Sequence, residues 1–165
     1  MKKPVVVGIG EILWDILPEG KQLGGAPANF AYHAMALGSR SHIVSAVGHD
    51  PPGRDILEHL RRSGLDPEYI AVDAQHPTGV VTVQVDAKGV PSFTIREMVA
   101  WDNIVFTGRA GDLASTADAV CFGTLAQRSE TSRGSIRRFL ESVSEDCLCI
   151  YDVNLRQGYY SNVTC

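Results

Sequence analysis

The order of apolar runs predicts an α/β fold on a mostly parallel sheet. Val5 to Ile9, Ser41 to Val47, Ala119 to Gly123 and Cys147 to Val153 are short, largely apolar runs, as expected of strands buried on both faces. Segments with helical spacing separate them, and strand alternating with helix calls for parallel strands with right-handed crossovers. The alternation breaks once, between Thr78 and Met98, where two strand-like stretches flank Ala87-Lys88-Gly89-Val90-Pro91, which is hairpin material.

The first strand is Pro4 to Gly10, and Ile12 to Ile16 continues as a strand or bulge carrying Asp15. Pro18 to Gly24 reads as a loop. Ala26 to Leu37 is a helix with Ala26, Phe30, Ala34 and Leu37 on one stripe, Pro27 in its first turn and Gly38 as its stop. After Ser41 to Val47, a helix over Gly53 to Ser63 turns Ile56, Leu57 and Leu60 inward and ends at Gly64. In the hairpin, Val81, Val83 and Val85 share one face, which suits an antiparallel ribbon with a wetter side. Ser132 to Val143 is a helix using Ile136, Phe139, Leu140 and Val143.

With 165 residues and 44% apolar content the chain can bury a core, and one domain is expected. Lys plus Arg is 15 against 19 for Asp plus Glu, a net charge of −4, which argues against a nucleic-acid partner. No window approaches the roughly 18 apolar residues of a membrane span, and no signal peptide is evident. Cys121, Cys147, Cys149 and Cys165 read as free thiols, buried where they fall on strands, which points to a cytoplasmic protein. The five histidines are scattered without metal-ligand spacing.

Gly8-Ile9-Gly10 invites a dinucleotide reading, but Leu13 stands where the third glycine belongs. Gly24 and Gly25 immediately precede a helix, where glycines admit a close ligand and helix-start N–H groups can donate to oxygens. Asn29, early in that helix, both donates and accepts, as vicinal hydroxyls require. Asp15 can accept hydroxyl hydrogens from a polyol, or it can pin a turn. Asp152, Asn154 and Arg156 alternate at a strand end, and Arg beside Asn suits an anionic group. Arg96 and Asp102 flank the exit of the hairpin.

Gly24-Gly25-Ala26-Pro27-Ala28-Asn29-Phe30-Ala31, with Leu37-Gly38 and Ala46-Val47-Gly48, resembles the first signature of the ribokinase-like carbohydrate kinases, the PfkB family. Asp152-Val153-Asn154-Leu155-Arg156 is similar to the Asp-Pro-Asn-Leu-Arg segment of the fructokinase branch, with Val153 for the proline, and Phe93, Arg96, Ala100 and Asp102 resemble its pattern after the lid. The resemblance implies a three-layer α/β/α sandwich with a small β-sheet lid over residues 72–102, and ATP-dependent phosphorylation of a sugar primary hydroxyl. It implies that Asp15, Gly24, Gly25 and Asn29 hold sugar hydroxyls, that Arg96 reaches in from the lid side, and that Asn154 and Arg156 line the sugar and phosphate side. ATP and Mg²⁺ would be the cofactors, the ion held largely through the nucleotide phosphates.

The family's second signature, a Gly-Ala-Gly-Asp loop bearing the catalytic Asp, does not occur in this sequence. The expectation is therefore a truncated sandwich, the N-terminal part of such a domain over residues 1–165. That piece would have little turnover, no catalytic residue or nucleotide site of its own, and an open apolar sheet edge. Association through that edge, or a homodimer through the lid, would follow. The alternatives are a non-catalytic sugar-binding or regulatory module, a nucleoside kinase, and an oxidoreductase, the last disfavoured by Leu13.

Overall fold

The computed structural model describes residues 2–85 and 91–154. The main sheet has five strands in the order β5-β4-β1-β8-β9. These are β1 (Val5–Ile9), β4 (Arg40–Gly48), β5 (Ile70–Asp73), β8 (Ala119–Gly123) and β9 (Leu148–Asp152), all paired in parallel. A second sheet, ordered β3-β2-β6-β7, contains β2 (Leu13–Leu17), β3 (Gly20–Gly24), β6 (Gly79–Val85) and β7 (Pro91–Ile95). The helices are α1 (Ala26–Ala36), α2 (Pro51–Arg62), α3 (Gly108–Ser115) and α4 (Glu130–Glu141).

Alternation along the central strands separates two cores. Ile43 and Val47 of β4 join Ala28 and Ala31 of α1 and Ile56 and Leu60 of α2 on one face. Val5, Val7 and Ile9 of β1, with Val44 and Ala46 of β4, join Trp101, Leu113 of α3 and Ile136 and Phe139 of α4 on the other. Helix, sheet and helix make three layers, as expected. The further expectation of a truncated sandwich is corrected. Both faces of the sheet carry helices, and each interface is a cluster of buried apolar side chains.

Three local expectations are also corrected, and two elements appear that the sequence did not announce. Residues 20–24 form β3, an antiparallel partner of β2 rather than a loop; polar Lys21 and Gln22 concealed an edge strand. The α1 stripe is Pro27, Ala28 and Ala31, while Leu37 is 88% exposed. This helix lies so close to the sheet that only small residues fit beneath it. Strand β5 and helix α3 went unread. Ile70 alone is buried in β5, and two glycines obscured α3, whose cap is Thr107 accepting from the Ala110 N–H at 3.2 Å. Last, β9 is not a buried strand: Leu148, Cys149 and Tyr151 are exposed, and β8 is its one strand partner among the described residues. Of the thiols, Cys121 is buried and Cys147 half-buried. No helix among the described residues is long and apolar enough to cross a membrane.

Candidate functional site

A cavity of about 360 Å³ lies between the second sheet and the C-terminal ends of the parallel strands. Such strand ends are where open α/β sheets place ligands. Its size falls within the ordinary range for small-molecule sites. The roof comes from strand register. Asp15 is paired with Gln22 on β3 and with Val81 on β6, and Val81 is paired with Ile95 on β7. Gln22, Asp15, Val81 and Ile95 thus form one row across four strands, and all four line the cavity. Leu13 and Leu17, two residues either side of Asp15, add apolar walls. The outer face of β2 is anchored by Trp14, whose Nε1 donates to the Pro52 carbonyl at 3.0 Å.

The floor is the start of α1 and the ends of β8 and β9. Gly25, Ala26 and Asn29 meet Gly123, Thr124, Asp152 and Asn154 there. The loop after β8 is tied to the end of β9 by Thr124, whose N–H donates to the Asp152 carbonyl at 3.1 Å and whose hydroxyl donates to the Asn154 carbonyl at 2.9 Å.

Of the residues singled out from the sequence, Asp15, Gly25, Asn29 and Asn154 come together here. Gly24 sits opposite Leu13 and acts by being small: a Cβ there would strike Asp15 Oδ2 and stand 2.9 Å from Leu13 Cδ1. Gly25 has φ +109° and lies against the Glu11 carbonyl, so both conformation and space exclude a side chain. Arg96, one residue past Ile95, is exposed and outside the lining; its carbonyl accepts from Arg128 Nη2 at 2.6 Å. Arg156 and the tip of the hairpin lie outside the described residues.

Sequence reading missed Glu11. It lines the cavity at only 3% exposure. Oε1 accepts from the Ala26 N–H at 3.1 Å, while Oε2 is buried with no hydrogen-bond partner. Burial pushes its carboxyl up to about 7, against the pull of its own and the Ala26 backbone N–H groups. The available signal was an acid between Gly10 and Ile12 in an otherwise apolar run.

A raised folded-state pKa means the folded chain holds this proton more tightly than the unfolded chain. The ionisation cost is absent below about pH 4.5 and complete above about 7, so stability falls as pH rises through that window. The full cost is on the order of 3 kcal/mol. Glu11→Gln is therefore expected to stabilise the fold by roughly 1–3 kcal/mol at pH 8, with the gain vanishing at pH 5. Urea denaturation at the two pH values checks this; an equal gain at both would exclude ionisation as its source.

Among the described residues no group of three or more His, Cys, Asp and Glu side chains is placed to hold a metal ion. What the cavity offers is a polyol's requirement: carboxylate and amide groups for hydroxyls, and aliphatic walls for the carbon skeleton.

The comparisons with known proteins agree with that chemistry. The profile of the pfkB family carbohydrate kinases matches residues 19–129. A fructokinase of Salmonella typhimurium is 40% identical over 161 residues, covering 93% of this chain and 52% of the relative. The crystal structure of an uncharacterized sugar kinase from Pyrococcus horikoshii superposes with a TM-score of 0.83 at 32% identity, over 94% of this chain and 54% of that one. The same kinase in complex with ATP superposes at 0.80 with 30% identity. The expectation of an N-terminal half alone is corrected by these superpositions, which take in nearly all of this chain as one continuous α/β/α body. As a separate fact, the chain spans about half the length of the relatives it matches. The chain belongs to the pfkB family of carbohydrate kinases.

Proposed function

We propose that the cavity is the acceptor pocket of an ATP-dependent carbohydrate kinase, taking a ketohexose or sugar acid. The observation that carries this reading is the row Gln22-Asp15-Val81-Ile95 facing Asn29 and Asn154 across a space of monosaccharide size. Asp15 accepts from two ring or chain hydroxyls. Asn29 and Asn154 each donate and accept on the opposite side. Leu13, Leu17, Val81 and Ile95 pack on carbon and keep water from the hydroxyl to be phosphorylated, where water would compete as acceptor. Residues 72–102 supply the covering hairpin that closes over the sugar. On the family resemblance alone, Arg96 belongs to the lid side and Arg156 to the sugar and phosphate side.

ATP, with Mg²⁺ carried on its phosphates, supplies the phosphoryl group. Among the described residues no group of three or more His, Cys, Asp and Glu side chains could hold the ion. The Gly-Ala-Gly-Asp segment that the resemblance makes the source of the base is not in this sequence, and none of the cavity residues is assigned that role. Turnover by the 165-residue polypeptide is accordingly expected to be slight beside its sugar binding. A cytoplasmic setting and a homodimer through the lid belong to the same proposal.

Calorimetry of the polypeptide with D-fructose and with 2-keto-3-deoxygluconate is expected to show saturable binding of at least one. Asp15→Asn is expected to weaken it about 10- to 100-fold, the value of a charge-assisted hydrogen bond or two. Binding of neither, or full affinity in the variant, would refute the reading. A nearly silent coupled ATP assay beside clear binding would favour the second reading, a non-catalytic sugar-binding module with the same pocket.

A further inference from the structure

We propose that Glu11 is a positioning residue for this cavity: its ionised carboxylate holds the first N–H of α1, fixes Gly25 and Asn29 in place, and makes ligand affinity follow its charge. The affinity part rests on the sugar-pocket reading above; the positioning part does not.

Glu11 occupies the connection between β1 and β2 and meets the start of α1 at two points, one a close approach and one a hydrogen bond. Its main-chain carbonyl lies against Gly25, and its Oε1 accepts from the Ala26 N–H at 3.1 Å. The Asn29 N–H in turn donates to the Gly25 carbonyl at 2.9 Å. Asn29 is therefore one helical turn from the Gly25–Ala26 peptide unit, whose N–H Glu11 holds. Gly25 provides no side-chain cap for α1, so the Glu11 carboxylate stands in for one.

An ionised carboxylate suits a helix N-terminus, because the macrodipole there is positive and a charge-assisted bond is about twice as strong as a neutral one. With Oε1 engaged as acceptor, a proton on this carboxyl sits on Oε2, the buried oxygen without a partner. Protonation thus relaxes the grip on α1 without forming a compensating bond. The charged groups acting on Glu11 come from three sides. Asp152 of β9 pushes its proton affinity up and Arg128 ahead of α4 pulls it down, while burial, with Asp152 and then Glu11 adding to it, pushes the Cys121 thiol of β8 up to about 11. Asp15 of β2 lines the same cavity. Burial outweighs these and brings the carboxyl's titration to about 7, so the switch lies in the neutral range.

The test uses the whole chain. In amide ¹H–¹⁵N spectra from pH 5.5 to 8.5, the Gly25, Ala26 and Asn29 resonances are expected to titrate together with a midpoint near 7, and to stay still in Glu11→Gln. Wild-type amides that do not titrate, or the same midpoint in the variant, overturn the positioning role; should the variant not fold, the wild-type titration decides. D-Fructose binding is expected to be roughly tenfold tighter at pH 8 than at pH 6 in the wild type. That ratio should vanish in Glu11→Gln and persist, at lower affinity, in Asp15→Asn. A Glu11→Gln variant that keeps the ratio overturns the proposal. Absence of fructose binding in every form would remove the affinity part, while the amide titration still judges the positioning part.

Discussion

Gly8→Ala is expected to lower the unfolding free energy by about 3 kcal/mol, the top of the range for overpacking, and to abolish ligand binding with it. Gly8 is the fourth of the five residues of β1, paired with Ile43 on one side and Cys121 on the other. A methyl group there would overlap the Pro27 carbonyl oxygen and stand 2.7 Å from the carbonyl carbon. The obstacle is backbone, so no rotamer change relieves it; either α1 lifts or the central strand bends. Lifting α1 strips Ala28 and Ala31 from their core and carries Asn29 away from Asn154. Urea denaturation and fructose calorimetry check the two consequences. A variant with wild-type stability would mean that α1 tolerates displacement, and the close helix–sheet contact would lose its place in the account. Gly134 is the control: a Cβ there meets nothing within 4 Å, and Gly134→Ala should be neutral or slightly stabilising.

Asp102→Ala is expected to cost about 3–5 kcal/mol, because it breaks a buried ion pair by removing one member. Asp102 follows the hairpin, in a short 3-10 turn over Ala100–Asn103. Its two oxygens accept from Arg128 Nε and Nη2, each at 2.8 Å, and Oδ2 also accepts from the Val99 N–H at 3.1 Å. Both side chains are nearly closed to solvent, and the guanidinium lies 4.1 Å from the Trp101 ring centre. The pair joins the end of the second sheet to the segment before α4. Asp102→Asn, which keeps acceptor and shape, should cost less. Adding Arg128→Met to Asp102→Ala should recover part of the loss, since it removes the other member of the pair. Additive costs in that double variant, read from urea denaturation, would show that the pair is not coupled.

Asp102 also shows the limit of reading residues from sequence. It belongs to the pattern after the hairpin that carried the family resemblance, and it looked like a candidate for chemistry. The structure commits both of its oxygens to Arg128. Arg96, from the same pattern, presents its carbonyl to that arginine and stays out of the cavity. Asp15 had the opposite history. A carboxylate after a strand could have pinned a turn, and only register with Gln22, Val81 and Ile95 places it on the roof of a cavity.

The sequence by itself determined the α/β class, the parallel core strands and the start of α1, because buried strands need unbroken apolar runs and Gly-Gly-Ala-Pro admits few conformations. It also marked Asp15, Asn29 and Asn154, whose polarity is anomalous beside apolar elements, and Gly25, a glycine directly before a helix. Tertiary structure alone decided which polar groups share a space. Edge strands β3 and β5 bury too little to leave an apolar trace, and the row across the second sheet depends on register between segments some sixty residues apart. Glu11 could not be weighed from neighbours in the chain, since its character comes from burial and from one amide fifteen residues away. Proton affinity depends on solvent exclusion and through-space charge, and neither exists until the chain has folded.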